Sequence, residues 1–140
     1  MAKEAIRNPL AGMKTLRTPT IAVHRGRMPL PQSALHWLDN QKRIDLHAAV
    51  VMPDHLHFVA RLISGNLSGV MHSLKSFTSK KIKSDLNLEK NVWQPQYYDH
   101  ALRGNDELIK TITYCLNNPV RANMVDDFHD YPYWYCKFEV

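Results

Sequence analysis

Along the chain, segments with an apolar side chain at every second position alternate with segments in which apolar side chains recur every three or four positions. The first pattern predicts strands and the second predicts helices. The longest helical pattern covers residues 67–86. Two apolar segments, residues 46–52 and 55–62, flank Pro53-Asp54, a pair that favours a turn. These segments therefore predict a β-hairpin followed by an amphipathic helix.

Weaker patterns predict the remaining elements. Residues 20–24 are the candidate first strand, and a helix capped by Ser33 is predicted over residues 34–42. Its inward side chains are predicted to be Leu35, Leu38 and Trp37. Residues 91–103 predict a strand in which Pro95 marks an edge or a bulge. A last helix, capped by Asn105 or Asp106, is predicted to end at Pro119, with an apolar stripe of Leu108, Ile109, Ile112, Cys115 and Leu116.

The order of these elements predicts an α+β fold. The first six elements follow the βαββαβ order of the ferredoxin-like fold. We expect an antiparallel sheet with helices on one face, and an additional C-terminal helix. Residues 1–19 are predicted to be irregular, residues 20–125 to form a single domain, and the aromatic C-terminal segment 126–140 to pack on that domain.

Composition narrows the class of protein. The apolar fraction of 44% and the charged fraction of 22% are those of a globular protein. No apolar run is long enough for a transmembrane helix, and the N-terminus lacks the apolar core of a secretory signal. Cys115 and Cys136 form no CxxC motif, so we expect reduced thiols and a cytoplasmic protein.

The positive charge is concentrated on one predicted helix. The net charge of +5 favours a polyanionic partner only weakly. Residues 67–84, however, contain no Asp or Glu, and this helix carries Lys75, Lys80, Lys81 and Lys83. An ordinary solvated face is the alternative, but the absence of acids favours contact with phosphates.

Two histidines in the second arm of the hairpin are candidate metal ligands. His55 and His57 should lie on the same face of their strand, with Leu56 and Phe58 in a core behind them. Such a pair also occurs by chance in structural positions, so it needs a third ligand and a reactive group.

The last predicted helix carries two candidates for these roles. Tyr114 and Asn118 are four residues apart and share a helical face. Tyr114 is a candidate nucleophile, and the Asn118 amide oxygen suits a hard cation such as Mg²⁺ or Mn²⁺. A half-buried tyrosine and a helix-capping asparagine are the alternatives for these two residues.

Four segments, in this order, resemble the single-tyrosine His-hydrophobe-His transposases and, within them, the REP-associated tyrosine transposases. The resemblance covers roughly residues 46–125. The segments are Val51-Met52-Pro53-Asp54-His55-Leu56-His57, Leu74-Lys75-Ser76-Phe77-Thr78, Val92-Trp93-Gln94 with Tyr97-Tyr98-Asp99-His100-Ala101-Leu102-Arg103, and Tyr114-Cys115-Leu116-Asn117-Asn118-Pro119-Val120-Arg121-Ala122.

The resemblance implies a metal-dependent endonuclease and strand transferase that acts on single-stranded DNA. By this resemblance His55 and His57 match the metal-binding pair, Asn118 completes the metal site, and Tyr114 is the catalytic tyrosine that forms a 5′-phosphotyrosine link. The implied cofactor is Mg²⁺ or Mn²⁺. The implied partner is single-stranded DNA that contains a hairpin, and a monomer is favoured over a dimer.

Further DNA contacts follow from this interpretation. Candidate phosphate contacts are Lys75, Lys80, Lys81, Arg103 and Arg121, and Trp93, Tyr97 and Tyr98 are candidates for stacking on unpaired bases, with core packing as the alternative. His100, next to Asp99, could support the metal site or make a structural hydrogen bond.

Two other functions remain open from the sequence. One is a non-catalytic module that binds single-stranded nucleic acid on the same fold and has no need of Tyr114. The other is an unrelated metallohydrolase built on the histidine pair, for which Asp54 and Asp99 are the candidate acids.

Overall fold

The computed structural model describes residues 11–17, 29–86, 92–94, 97–102 and 104–140. The α+β class and the βαββαβ order are confirmed. In chain order the elements are β1 (Ala11–Arg17), α1 (Leu30–Asn40), β2 (Ile44–Met52), β3 (His55–Leu62), α2 (Leu67–Leu86), β4 (Tyr98–Ala101), α3 (Asn105–Leu116), α4 (Asn118–Arg121), a 3₁₀ turn (Phe128–Asp130) and β5 (Trp134–Cys136).

The strands form one antiparallel sheet in the order β4-β1-β3-β2-β5. The β2–β3 hairpin predicted around Pro53-Asp54 is confirmed. β1 lies between β3 and β4, as the split βαβ arrangement requires. The histidine-bearing strand β3 is therefore central, and its hydrogen bonds to a neighbour on each side hold it rigidly.

Helices cover both faces of the sheet. The predicted helices α1 and α2 pack on one face, and α3 packs on the other. Alternate residues of β2 and β3 supply the two cores, which explains why β2 is an almost continuous apolar run. The first core includes Leu35, Leu38, Met71, Leu74, Val51, Leu56 and Phe58; the second includes Leu108, Ile112, Cys115, Leu116, Ala48, Val50 and Val59.

The first strand lies where the sequence predicts no regular structure. β1 occupies Ala11–Arg17, within the segment 1–19 that was predicted to be irregular. The predicted strand at residues 20–24 lies outside the described residues. β1 was missed because Leu16 is out of phase with Ala11 and Met13, which breaks the apolar alternation. Pairing with β3 and β4 stabilises the strand.

α1 begins earlier than predicted. It starts at Leu30, with Pro31 in its first turn, where a proline costs no hydrogen bond. Ser33 therefore lies inside the helix and is not its cap. Leu35 and Leu38 are buried as predicted, but Trp37, which was predicted to face inward, is 50% exposed.

The predicted strand over residues 91–103 is much shorter in the structure. Among the residues of this range that the structure describes, Tyr98–Ala101 is the strand, and it lies at the edge of the sheet. Val92 and Trp93 are buried without belonging to a helix or strand.

The last predicted helix is divided into two. α3 begins at Asn105 with Gly104 at its N-cap, so neither Asn105 nor Asp106 caps it. It ends at Leu116, and α4 begins at Asn118 with Pro119 in its first turn. The proline ends the first helix and starts the next, since its fixed φ suits a helix N-terminus. Ile109, predicted in the buried stripe, is exposed.

The aromatic C-terminal segment contributes a strand to the sheet. β5 pairs with β2 and places Cys136 opposite Ala48. The Tyr131 hydroxyl donates a hydrogen bond to the carbonyl of Val51. This pairing covers the edge of β2, which would otherwise expose unpaired backbone groups.

Cys115 and Cys136 are both free thiols in the structure. Over the described residues, every helix is too short or too polar to cross a bilayer.

Candidate functional site

The histidine pair has the geometry that the strand period predicts. The ring centroids of His55 and His57 are 4.6 Å apart, with the ring planes at 89°. His57 is 8% exposed, whereas Leu56 and Phe58 lie in the core on the opposite face of the sheet. Two imidazoles held side by side on a central strand are a suitable pair of metal ligands.

The Asp54 carboxylate orients one of these imidazoles. Its Oδ1 lies 2.5 Å from Nδ1 of His55 and accepts a hydrogen bond from it. The neutral His55 ring then carries its lone pair on Nε2, which is the atom available for a metal. A carboxylate hydrogen-bonded to a histidine is the usual support for a ligating imidazole. The donor set of this site therefore fits a divalent metal ion.

Within the described part of the chain, no three His, Cys, Asp or Glu side chains cluster into a candidate metal site. Asp99 shares a register row with Phe58, through Lys14 of β1, so it lies on the face opposite the histidines. Of the two acids considered for the metallohydrolase alternative, Asp54 binds the His55 ring and Asp99 lies on the other face, so the Asn118 amide remains the candidate third ligand among the described residues.

α3 packs on the same face of the sheet as the histidines. The Cys115 thiol donates to the backbone carbonyl of His57, with Sγ and O 3.8 Å apart. Burial raises the pKa of Cys115 to about 12, so this thiol serves packing and is not a nucleophile. Tyr114, the preceding residue, has its Cα about 4 Å from that of Cys115. Its side chain is 52% exposed and therefore accessible from solvent.

The short helix α4 folds back toward Tyr114. The guanidinium carbon of Arg121 lies 3.6 Å from the centroid of the Tyr114 ring. The Asn118 side-chain amide nitrogen donates to the Cys115 carbonyl over 3.1 Å, which leaves the amide oxygen available as an acceptor or ligand. Asn118 is thus the first residue of α4, and not part of the last turn of α3 as predicted.

The predicted phosphate contacts are divided between the two faces. Lys80 and Lys81 are exposed on α2, which covers the face away from the histidines. Lys75 donates to the Gln94 carbonyl over 3.0 Å, and burial lowers its pKa. Arg103 lies outside the described residues. Among the predicted contacts that the structure describes, Arg121 is the cation beside Tyr114.

Trp93 belongs to the core, which corrects the prediction that it stacks on DNA bases. It is 6% exposed, and its indole Nε1 donates to the Thr78 hydroxyl over 2.7 Å. Tyr97 packs partly buried against the same core. A buried indole with its donor satisfied has no face available for a base.

His100 connects the edge strand to α3. Its Nε2 lies 2.8 Å from Oε1 of Glu107 in the first turn of that helix. This contact is the structural hydrogen bond that the sequence left open, and a role in supporting the metal site stays a prediction.

Two residues near the site were not found from the sequence. The pairing of β1 with β3 places Thr15 opposite His57 and Arg17 opposite His55. Both were assigned to the irregular segment, although their two-residue spacing matches that of the histidines. A strand prediction over residues 11–17 would have found them.

The fold is ferredoxin-like, with an additional helix that packs on the histidine face of the sheet. A solved structure of the REP-associated tyrosine transposase bound to a REP hairpin superimposes with a TM-score of 0.70 and 21% sequence identity. The match covers 91% of this chain and 76% of that one. Residues 29–118 match the family model described as "Transposase IS200 like". The chain therefore belongs to the IS200-like transposase family.

Two curated relatives are similar over the same region. The REP-associated tyrosine transposase of Escherichia coli (strain K12) is 30% identical over 91 residues, which are 64% of this chain and 52% of that protein. A relative from Haemophilus influenzae that is assigned to the same group is 28% identical over 97 residues, 61% of this chain and 55% of the relative. The chain thus spans about half the length of these relatives.

Proposed function

We propose that this chain is a metal-dependent endonuclease and strand transferase for single-stranded DNA, with Tyr114 as the nucleophile. The observation that carries the proposal is the contact between Cys115 and His57, which holds the tyrosine helix against the histidine strand. Tyr114 is exposed next to that contact, and Arg121 lies over its ring. Membership of the IS200-like transposase family supports the same reading.

The reaction exchanges one phosphoester bond for another. The Tyr114 hydroxyl oxygen attacks the phosphorus of a DNA phosphodiester and loses its proton. A tyrosine–phosphate bond forms, the bond from phosphorus to the 3′ oxygen breaks, and that oxygen takes up a proton. The products are a 5′-phosphotyrosine link and a free 3′-hydroxyl. Because the link retains the phosphoester bond, a second 3′-hydroxyl can reverse the step and join strands without ATP.

The histidine strand supplies the candidate metal ligands. His55, His57 and Asn118 would hold Mg²⁺ or Mn²⁺, with Asp54 keeping the His55 ring in the ligating orientation. The ion, when bound, supplies Lewis-acid stabilisation of the charge that develops on the phosphate oxygens.

Arg121 has two tasks in this proposal. Its planar guanidinium restricts the orientation of the Tyr114 ring by stacking on it. Its N–H groups can also donate to a phosphate next to that ring, since guanidinium geometry suits phosphate oxygens.

The proposed substrate is single-stranded DNA with a hairpin. The solved structure with the same fold is bound to a REP hairpin. We also propose that the enzyme acts as a monomer. The helix that carries Tyr114 packs on the histidine strand of its own chain through the contact between Cys115 and His57, which supports a site formed within one chain.

The test is the capture of a covalent protein–DNA adduct. Hairpin-containing single-stranded DNA is incubated with protein and Mg²⁺ or Mn²⁺, and the products are separated on a denaturing gel. We expect an adduct with wild type, none with Tyr114→Phe, and none when EDTA removes the metal. Tyr135→Phe makes the same chemical change on β5 and should leave the yield unchanged.

Two outcomes would contradict parts of the proposal. An adduct with Tyr114→Phe would show that another residue is the nucleophile. DNA binding without an adduct, over varied hairpins and both metals, would favour the non-catalytic nucleic-acid-binding module on the same fold.

A further inference from the structure

A groove runs along the outer surface between α1 and α2. Its volume is about 660 Å³. Trp37 contributes one wall, and His72, Ser76, Phe77, Lys80 and Lys81 contribute the other. The α2 wall extends from His72 to Ser84, which is roughly 18 Å at 1.5 Å per helical residue. The groove is long enough for a few nucleotides of a single strand.

Two large aromatic rings are exposed in this groove. Trp37 is 50% exposed and Phe77 is 55% exposed. Leu35, Leu38 and Leu74 of the same helices are buried and supply the contact with the sheet. Packing of the domain therefore leaves the two rings uncovered, and exposed aromatic side chains are a common feature of binding surfaces.

The charge of the groove indicates what kind of partner it fits. Lys80 and Lys81 line it, and α2 carries no Asp or Glu before Asp85. On α1, the Asp39 carboxylate accepts a hydrogen bond from the Leu46 backbone over 2.9 Å, at the side of the helix that meets β2. Flat rings beside lysines on a wall without acids match the combination that binds single-stranded nucleic acid, in which bases stack on rings and cations contact phosphates.

The groove is distinct from the candidate active site. α1 and α2 pack on one face of the sheet, whereas the histidine pair and α3 lie on the other. A strand segment in the groove is therefore separated from Tyr114 by a helical layer and the sheet.

We propose that this groove is a second binding site for single-stranded DNA, in which bases stack on Trp37 and Phe77 and phosphates contact Lys80 and Lys81. The choice of DNA rests on the proposed function, but binding in the groove needs neither metal nor cleavage. The groove holds a part of the substrate away from the scissile phosphate and so anchors the strand on the far side of the domain.

Binding can be measured separately from cleavage. A fluorescently labelled oligothymidine is titrated with protein in EDTA, and the dissociation constant is obtained from anisotropy. We expect Trp37→Ala and Phe77→Ala each to weaken binding by about tenfold, since each removes one stacking platform. The double variant Lys80→Gln, Lys81→Gln should flatten the dependence of affinity on salt. Ile63→Ala, another exposed apolar residue, and Lys110→Gln, an exposed lysine on α3, are the matched controls.

A second measurement reports on Trp37 itself. Stacking on a base should quench its fluorescence, so wild type should show quenching that Trp37→Phe lacks. An abasic oligonucleotide of the same length should bind wild type and Trp37→Ala equally, because it offers no base to stack.

The failure of this proposal is distinguishable from failure of the proposed function. Tyr114→Phe should bind oligothymidine as wild type does while forming no adduct. Unchanged affinity and unchanged quenching in the groove variants would overturn the groove proposal, even if the adduct forms normally. If those variants alter sedimentation of the protein but not its DNA affinity, the groove is a self-association surface and the proposal is wrong.

Discussion

The guanidinium of Arg121 stacks on the ring of Tyr114, with 3.6 Å between the guanidinium carbon and the ring centroid. The two residues lie on different helices, α3 and α4. Because α3 ends at Leu116 and α4 begins at Asn118, the direction of the chain changes and Arg121 lies over the tyrosine. The contact gives a ring that is otherwise exposed a preferred orientation.

We predict that Arg121→Gln slows formation of the covalent adduct by about tenfold or more, which corresponds to about 1.4 kcal/mol in the barrier. The reason is the loss of both ring orientation and a phosphate contact. Stability should change little, since an exposed cation–π contact contributes about 0.5–1 kcal/mol. The rate is measured by quenching samples over time and quantifying the adduct on a denaturing gel.

Two further variants separate the effect of the guanidinium plane from that of positive charge alone. Arg121→Lys should recover only part of the rate, because an ammonium keeps the charge but cannot stack as a plane. Lys110→Gln removes an exposed cation from α3 and should leave the rate unchanged. Equal rates for Arg121→Gln and wild type would exclude Arg121 from the site.

Asp54 offers a test of metal binding that does not depend on cleavage. We predict that Asp54→Asn weakens Mn²⁺ binding by roughly 10- to 100-fold, since its carboxylate orients His55. Free Mn²⁺ is measured by electron paramagnetic resonance in the absence of DNA. Asp126→Asn, an exposed acid in a loop beyond α4, is the control and should bind as wild type. Unchanged Mn²⁺ affinity in Asp54→Asn would show that this carboxylate does not support the site.

The sequence predicted correctly the helices and strands that have a long apolar period of their own. α2 and β3 have the bounds predicted, because their apolar periods are long and uninterrupted. β1 and the three-residue strand β5 were not predicted, since their stability comes from pairing with distant strands. Short strands of this kind carry little periodicity of their own.

The site was predictable in part for the same reason. The side-by-side histidines follow from the two-residue period of a strand. The packing of α3 against His57 is a tertiary contact, and only the family resemblance indicated it.

The exposure of two tryptophans differs from what the sequence predicted. Trp37 was predicted inside and is exposed. Trp93 was a candidate DNA contact with core packing as the alternative, and it is buried; it lies outside any helix or strand, so no periodicity could decide between the two roles.

The different burial of Trp93 and Trp37 predicts different effects of the same substitution on stability. Trp93→Phe should lower the free energy of unfolding by about 1–3 kcal/mol, because it leaves space in the core and removes the donor to Thr78. Trp37→Phe makes the same chemical change at an exposed position and should have little effect on stability. Urea denaturation followed by circular dichroism measures both. A stable Trp93→Phe protein with impaired DNA binding would restore the sequence-based assignment of Trp93 to the DNA.

Buried His47 should make stability depend on pH. It lies in β2 beneath the C-terminal segment, and neither ring nitrogen has a hydrogen-bond partner among the described residues. Burial lowers the pKa of His47 below its ordinary value of 6.5; the positive charges of Lys137 and Arg61 act in the same direction, and Asp45 and Asp39 oppose them. The unfolded chain therefore binds the proton more readily than the folded chain does.

The lower pKa of His47 in the folded chain decides how stability changes with pH. Above about pH 6.5 His47 is neutral in both states and contributes no pH dependence. As the pH falls below that value, protonation favours the unfolded chain, and stability is lost until the folded pKa is reached. His129 acts in the opposite direction, because its hydrogen bond with Asp127 raises its pKa. We predict that His47→Leu loses less stability than wild type between about pH 8 and pH 5, and that His129→Gln loses more. Urea midpoints across this range measure the difference, and parallel curves for wild type and His47→Leu would show that His47 does not titrate with unfolding.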